Sequence, residues 1–338
     1  MKGNVIAMIK CLPVVYPPIS SYPGIANPMS FLWVHKDKVL PWLCDRYIQL
    51  IIRPDHYSPG DFYEHADTDN FIRPNELCPF YGLMRNNQTT AHFDKFTDYI
   101  EYNIDHEYYL EACLDNFYLS CSHDFYQKSH LRIHPTFIYG YDKEKQVIYI
   151  SDFYENGKYI QTTATYDEIN KSIEGIDYFI WSYKYQNCNY ELNLNLLKLY
   201  LSDFLNSTDS FHKFEFSAPS YNHNALFGLD YYQYAHDVFI QPAEKIDIRP
   251  LHILYDHKIM MQIRLEYLHT QNIISPKHFQ ELMELTNQSL KNALYLRNTV
   301  LKYNLSQKQT LISSLKDRCQ LQKDYDENLF ARLLQILS

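Results

Sequence analysis

The chain has 338 residues, of which 46% are apolar and 21% are charged, so it encodes a folded protein rather than a disordered one. Its net charge of −9 and the lack of a stripe of Lys and Arg argue against a nucleic-acid partner. The length fits two domains or one large domain.

The first fifty residues combine an extended segment, a loop and a helix. The run VIAMIKCLPVVY predicts a short strand. It lacks the apolar core of a signal peptide, because Lys10 interrupts it, and it lacks a cleavage site. PPISSYPGIANP predicts a loop. From MSFLWV to KVLPWLCDRYIQLII we expect a helix, broken at Pro41, that buries Trp33, Trp42 and Leu43. No apolar run approaches the about 18 residues that span a bilayer, so we expect a cytoplasmic protein with no membrane partner.

The middle of the chain predicts an antiparallel sheet. After a predicted helix from Asp98 to Leu114, the segments NFYLSCSHDFY, PTFIYGYD, QVIYISDFY and KYIQTTAT are rich in β-branched and aromatic residues. The pair TFIYGYDKEKQVIYISD predicts a hairpin, with GYD at 140–142 in the turn. Thr165, with Glu168 three residues later, predicts the capped start of a helix, and YFIWSYKY predicts a further strand.

Beyond residue 187 the pattern becomes helical. Apolar residues recur with helical spacing at Leu251, Leu254, Met261, Leu265 and Leu268. Ser275 and Pro276 predict the N-cap and first residue of a helix, and Ser306 predicts the cap of the last helix. The sequence therefore predicts an α+β domain over residues 1–187 and a mainly helical domain over residues 188–338.

The polar clusters of the sequence do not form a recognisable metal site. Seven cysteines occur without a C-x-x-C pair, which predicts neither a disulfide framework nor structural zinc. His130 and His134 are four residues apart, a spacing that suits a metal on a helix, but their segment predicts strand and loop. We therefore expect no metal and no other cofactor. Asp256, His257 and Lys258 lie between apolar helix positions, and we expect them on a solvated face or at a partly buried contact between domains.

His134 and Asp152 stand at the two open ends of the predicted hairpin. They are 18 positions apart with both strands between them, and such ends lie side by side in an antiparallel pair. A histidine whose tautomer is fixed by a carboxylate is the general base of many nucleophilic enzymes. The alternative is a histidine beside a strand and a solvated aspartate at a turn.

The segment HPTFIYGYDKEKQVIYISDFYENGKY resembles the His-strand-GYD-strand-Asp segment of the C39-like, papain-fold family. Within this family the chain is most similar to the group named after butirosin biosynthesis protein H, and MSFLWVHKDKVLPWLCDRYIQLI and IDIRPLHILYDHKIMMQIRLEYL are similar to it as well. The resemblance implies a papain-like fold and an acyltransferase of nonribosomal-peptide or related antibiotic biosynthesis. It also implies a cysteine acyl-enzyme, a carrier protein bearing a phosphopantetheine thioester as donor, and an amine acceptor.

The chain departs from this family at the nucleophile. The resemblance places that residue just before the first helix, around PPISSYPGIANPMSF, where no cysteine occurs. Ser20 and Ser21 are the serines of this loop before Pro23, and Ser30 lies inside the following apolar run, so Ser21 is the candidate nucleophile. Cys11 falls in a predicted strand and Cys44 at the far end of the Trp-rich helix, where small buried hydrophobic residues are expected.

Three functional hypotheses follow. The first is acyl transfer by His134, Asp152 and Ser21. The second is a non-catalytic binding or scaffold protein derived from the same fold, and the third is a thioester or amide hydrolase with water as the acceptor. The missing cysteine separates the first two, because a hydroxyl at a thiol-type site is a weak nucleophile unless the base and the oxyanion hole are well placed.

Overall fold

The structure, a computed structural model, describes residues 8–54, 60–62, 78–86, 93–132, 134–176, 180–210, 224–240 and 244–338. The protein is α+β, with an antiparallel sheet and a helical C-terminal region, as the sequence predicted. Its internal contacts divide the chain into two units: residues 1–37 with 76–189, which we name the sheet unit, and residues 38–75 with 190–338, the helical unit. This division differs from the predicted unbroken segment 1–187, because residues 38–75 are grouped with the helical unit.

Strands concentrate in the first 190 residues and helices in the remainder. In chain order the described strands are β1 (Ile9–Cys11), β2 (Leu50–Ile52), β3 (Gly60–Phe62), β4 (Tyr81–Asn86), β5 (Tyr109–Cys113), β6 (Pro135–Asp142), β7 (Val147–Glu155), β8 (Lys158–Thr165), β9 (Ile180–Tyr185) and β10 (Leu226–Phe227). The described α-helices are α1 (Pro23–Leu32), α2 (Lys36–Cys44), α3 (Phe96–Asp105), α4 (Tyr166–Ser172), α5 (Leu194–Leu205), α6 (Tyr231–Ile240), α7 (Arg249–Thr270), α8 (Pro276–Ser306) and α9 (Thr310–Leu337).

The large sheet of the sheet unit is antiparallel throughout and has the order β4-β9-β5-β6-β7-β8. β1 pairs with the second half of β6, and in this pairing Cys11 stands opposite Gly140. A Cβ atom at Gly140 would lie 2.7 Å from the carbonyl oxygen of Lys10 and 2.9 Å from Cα of Cys11. Glycine at this position therefore allows the close approach of β1.

The predicted hairpin is confirmed as β6 and β7, with one change in its turn. Gly140 and Asp142 still belong to β6, and residues 143–146 form the turn, in which Gln146 has a φ of 53°. The predicted cap of α4 is also confirmed. The hydroxyl of Thr165 accepts a hydrogen bond from the Glu168 backbone N–H at 3.2 Å, and the Glu168 carboxylate accepts one from the Thr165 N–H at 2.7 Å.

The helices near the N-terminus differ from the prediction in their bounds. α1 begins at Pro23, inside the segment that was predicted to be a loop, since a proline fits the first turn of a helix. α2 continues through Pro41 to Cys44 instead of breaking there, and part of the segment after it forms β2. Trp42 and Leu43 are buried as predicted, whereas Trp33 is only half-buried.

Two further predicted elements are wrong. The helix that was expected over residues 98–114 ends at Asp105, where Glu107 adopts a φ of 66° and the chain turns into β5. The segment NFYLSCSHDFY forms a 3-10 turn and loop instead of a strand, because the Asp115 carboxylate caps the Phe117 backbone N–H.

The helical unit contains a small sheet, of order β10-β2-β3, and the long helices α7, α8 and α9. Ser275 caps α8 by accepting a hydrogen bond from the His278 backbone N–H at 3.2 Å, with Pro276 as the first helical residue, as predicted. Ser306 ends α8 and does not cap α9; Gln307 takes a left-handed φ of 55°, which stops the helix. Among the described residues, none of the helices has the length and apolar character that crossing a membrane requires.

The predicted solvated face at Asp256, His257 and Lys258 is wrong, because all three side chains are buried. The Lys258 ammonium pairs with the Asp326 carboxylate and donates a hydrogen bond to His257 Nδ1 at 2.9 Å. His257 Nε2 donates in turn to the carbonyl oxygen of Ile48 at 2.9 Å, so the imidazole is neutral, and burial holds its pKa well below the ordinary value. A charge buried in this way is tolerated because polar groups of the same unit surround it.

Candidate active site

His134 and Asp152 are brought together by the hairpin that joins them. His134 directly precedes β6, and Asp152 lies on the neighbouring strand β7. Phe137 pairs with Ser151. In this register Asp152 stands opposite Thr136, which is two residues along β6 from His134. His134 Nδ1 and Asp152 Oδ2 are 2.6 Å apart. The predicted contact is therefore present, while the catalytic roles of the two residues stay predictions.

The pair is polarised in the manner of a general base and its orienting carboxylate. Asp152 is fully buried, and within the described part of the chain its Oδ1 has no hydrogen-bond partner. Burial on its own would lower the pKa of His134, but the charge and hydrogen bond of Asp152, with a smaller contribution from Glu111, raise it above the ordinary value. Because a carboxylate can only accept, Nδ1 carries a proton and Nε2 is the atom that can exchange one with a substrate.

α1 is tied to one face of the sheet by a buried polar network. Asn27 on α1 donates a hydrogen bond to the Glu111 carboxylate at 3.3 Å and accepts one from the Tyr159 hydroxyl at 3.0 Å. Tyr183 donates to the same Glu111 oxygen at 3.0 Å, and the hydroxyls of Tyr159 and Ser151 lie 2.8 Å apart. The network therefore connects α1 to β5, β7, β8 and β9.

The direction of α1 follows from its contacts with β5. The Phe31 ring stacks on Tyr109 with centroids 4.8 Å apart, and four residues earlier in the helix Asn27 meets Glu111. Four helical residues rise about 6 Å, and the step of two residues from Tyr109 to Glu111 spans about 6.6 Å of strand. One further turn brings the amino end of α1 to the level of Cys113, the next residue on this face of β5.

Ser21 lies in the loop directly before α1, whose N-cap is Tyr22. The helix N-terminus therefore follows the predicted nucleophile, as the sequence reasoning expected. Ser30 is buried inside α1, and its hydroxyl donates a hydrogen bond to the Asn27 carbonyl oxygen at 2.7 Å. Within the described residues, Asp152 is the hydrogen-bond partner of the His134 ring, and Ser21 is not.

Neither cysteine that the sequence analysis considered stands beside His134. Cys11 pairs with Gly140, six residues along β6 from His134, which corresponds to about 20 Å of strand. Cys44 belongs to the helical unit, and burial raises the pKa of its thiol to about 12. These two thiols are therefore poor candidates for the nucleophile of the His134 site.

The sequence reasoning missed Cys113, which is the last residue of β5 and pairs with Pro135, the neighbour of His134 in the chain. It is half-buried. It was missed because the segment before it was predicted to be helical up to Leu114, which gave no reason to place this cysteine next to β6. The segment YLEAC lies inside that predicted helix and includes the helix formers Leu, Glu and Ala, so the local pattern gave no signal for β5.

No protein-family model matches this chain, and a search of curated proteins found no related sequence.

His130, four residues before His134, has a different partner. His130 Nδ1 lies 2.7 Å from Asp115 Oδ2, and Arg132 Nε donates to the same oxygen at 2.8 Å. These two donors hold the pKa of Asp115 below its ordinary value although burial opposes them. In the described ranges, no group of three or more His, Cys, Asp and Glu side chains is placed to hold a metal ion.

Proposed function

We propose that the sheet unit is a papain-like, C39-like acyl-transfer domain that acts on a carrier-protein thioester in peptide natural-product biosynthesis. The observation that supports this most directly is the 2.6 Å contact between His134 Nδ1 and Asp152 Oδ2 on adjacent hairpin strands. A papain-like site needs a histidine base, an orienting carboxylate or amide on the next strand, and a helix whose amino end approaches the base.

The arrangement of α1 also supports the proposal. Its amino end reaches the same end of the sheet as His134, on the face of Ser151 and Glu111, and the polar network around Asn27 and Glu111 holds it there. The partial positive charge of a helix N-terminus stabilises an anion that develops during attack on a carbonyl carbon. His134 Nε2 would accept the proton of the nucleophile or of the incoming amine and return it to the leaving thiolate.

The carrier protein, its phosphopantetheine thioester and the amine acceptor enter this proposal through the family resemblance. Ser21 remains the nucleophile that the sequence predicts for it. The non-catalytic binding protein remains the second candidate because residues 12–32, where the family places its cysteine, contain none.

The proposal can be tested with an acyl thioester of a pantetheine analogue, an amine acceptor and the full chain. We expect amide formation in the wild type and a loss of at least about a hundredfold in His134→Ala and in Asp152→Asn. His123→Ala is the matched control, because His123 is exposed and should be replaceable without effect. Release of free acid with the amine present would favour the hydrolase, and no turnover of any donor would favour the binding protein.

A further inference from the structure

The segment that leads into β6 is rich in basic residues, although the chain as a whole carries a net charge of −9. Residues 128–134, KSHLRIH, have a Lys, His or Arg at every second position, namely Lys128, His130, Arg132 and His134. No Asp or Glu occurs over residues 125–141. This segment is therefore the part of the chain next to His134 that offers favourable contacts to an anion.

A buried carboxylate holds two of these side chains in place. Asp115 follows β5, and its side chain is only 2% exposed. Its Oδ2 accepts a hydrogen bond from Arg132 Nε at 2.8 Å and lies 2.7 Å from His130 Nδ1. The His130 ring also stacks on Phe117, with centroids 4.4 Å apart, and the Phe117 backbone N–H donates to the other Asp115 oxygen. Both basic groups are therefore fixed from their buried side.

The donors that Asp115 does not use belong to exposed side chains. Arg132 is 52% exposed and His130 is 47% exposed. Within the described residues, Asp115 is the hydrogen-bond partner of both, and it meets the Arg132 guanidinium through Nε, which leaves the two Nη groups to donate. Because a carboxylate can only accept, His130 Nδ1 carries a proton, and the protonated ring also presents an Nε2–H. A guanidinium fork beside an imidazolium is a donor set that suits a phosphate.

The chain itself keeps these donors close to His134. Arg132 is two residues and His130 four residues from His134, so their Cα atoms lie at most about 7 Å and about 14 Å from that of His134. The His134 side chain is 29% exposed. A pantetheine arm joins its phosphate to its sulfur through two amide groups, a chain about as long as four extended residues, or about 14 Å. A thioester at His134 therefore places the phosphate of the same arm within reach of Arg132 and His130.

We propose that Arg132 and His130, oriented by Asp115, form an anion site that binds the phosphate of the phosphopantetheine arm while its thioester lies at His134. The two residues bind and position the donor and take no part in bond making. The identity of the anion rests on the proposed function, whereas the anion site rests on the contacts of Asp115. We choose this phosphate over the carboxylates of a carrier-protein surface because the arm fixes its distance from the thioester.

The anion site is tested by equilibrium binding of phosphopantetheine and of pantetheine, which lacks the phosphate, to the full chain. We expect the wild type to bind phosphopantetheine at least about tenfold more tightly than pantetheine, as charge-assisted hydrogen bonds imply. Arg132→Gln should bring the two affinities to within about twofold of each other, and His130→Gln should reduce the ratio in part.

Lys145→Gln is the matched control for the loss of one positive charge. Lys145 is 73% exposed and lies in the turn at the closed end of the hairpin, about eight residues of strand from His134. It should keep the wild-type ratio of affinities. No binding of phosphopantetheine, equal affinities of the wild type for the two ligands, or the same ratio in Arg132→Gln as in Lys145→Gln would overturn the proposal.

The link to catalysis is tested with acyl-phosphopantetheine and acyl-pantetheine as donors in the amide-forming assay. The wild type should show a kcat/KM at least about tenfold higher for the phosphorylated donor. Arg132→Gln should lose this preference through KM and keep the wild-type kcat with acyl-pantetheine.

The possible failures of this assay are distinguishable. Turnover of both donors at equal kcat/KM by the wild type would overturn the phosphate site and leave the proposed function intact. An effect of Arg132→Gln that appears only when the donor is attached to an intact carrier protein would assign the contact to the carrier surface and overturn the phosphate site. Arg132-dependent binding of phosphopantetheine without turnover of any donor would support the site and count against the proposed function.

Discussion

Asp152 holds the ring of His134 from the adjacent strand, with Oδ2 2.6 Å from Nδ1. One partner is fully buried and the other is partly open to solvent, with 29% of the His134 side chain exposed. A buried carboxylate whose charge is offset by an imidazole that solvent can reach is the arrangement of a base and its orienting group. The pair therefore controls both the tautomer and the charge of His134.

Replacing Asp152 by Asn should lower the pKa of His134. The charge and hydrogen bond of Asp152 raise this pKa against the effect of burial, so an uncharged amide leaves burial to dominate. The measurement is a titration of the His134 ring protons by NMR, with Asp124→Asn, at an exposed position, as the control. An unchanged His134 titration in Asp152→Asn would contradict the electrostatic role of Asp152.

The same substitution should destabilise the protein in a pH-dependent way. Because the folded state raises the pKa of His134, its stabilising effect is present in full below the unfolded-state pKa of about 6.5 and is lost as the pH rises through the folded-state value. The difference in unfolding free energy between wild type and Asp152→Asn should therefore be larger at pH 6 than at pH 9. Urea denaturation at both pH values checks this, and a difference that grows with pH would disprove it.

Thr165→Ala should lower the free energy of unfolding by about 1 kcal/mol, the usual cost of losing an N-cap side chain. Its hydroxyl accepts from the backbone N–H of Glu168, and a reciprocal bond completes the cap of α4. Thr163→Ala on the same strand provides the control, because Thr163 is exposed and makes no cap. Equal stabilities of the two variants would show that the cap contributes nothing.

Removing one member of the buried ion pair in the helical unit should cost about 3–5 kcal/mol. In Lys258→Met the Asp326 carboxylate remains buried, with hydroxyl donors from Tyr232 and Ser289 but no cation. The double variant Lys258→Met/Asp326→Leu should recover part of the loss, because it leaves neither charge uncompensated. Lys291→Met, at an exposed position of α8, is the control in urea denaturation. A Lys258→Met variant as stable as Lys291→Met would refute this reading of the cluster.

Two glycines with left-handed φ values should respond differently to alanine. Gly157 has a φ of 68°, and a Cβ atom there would have no heavy atom within 4 Å beyond its chain neighbours, so Gly157→Ala should cost about 1 kcal/mol from backbone strain alone. Gly228 has a φ of 51°, and a Cβ there would lie 2.1 Å from the Phe204 carbonyl oxygen. Gly228→Ala should therefore cost about 2–4 kcal/mol. Similar thermal shifts in the two variants would contradict the overlap.

Local signals in the sequence were enough to predict the elements that depend on near neighbours. The hairpin of β6 and β7, the capping box at Thr165 and Glu168 and the Ser275–Pro276 start of α8 each rest on contacts within a few residues. The contact of His134 with Asp152 was predicted for the same reason, because a hairpin brings its two open ends together.

Contacts between distant residues could not be predicted in this way. Asn27 and Glu111 meet across 84 positions, and Lys258 and Asp326 across 68, so the burial of these polar groups depends on partners that no local pattern reveals. Lys258 was expected to be solvated because a lysine between apolar helix positions usually extends to water. Its burial is tolerated only when the carboxylate of a different helix neutralises it.

The sequence by itself determined the α+β character, the hairpin and the candidate base with its carboxylate, since these follow from local periodicity, caps and one short loop. Only the tertiary structure decided which other groups surround the base. Cys113 stands opposite Pro135 because β5 pairs with β6 in one register, and a shift of one residue would turn its side chain to the opposite face. Register between strands is set by the packing of the whole sheet and of α1 against it, and that information is spread over residues far apart in the chain.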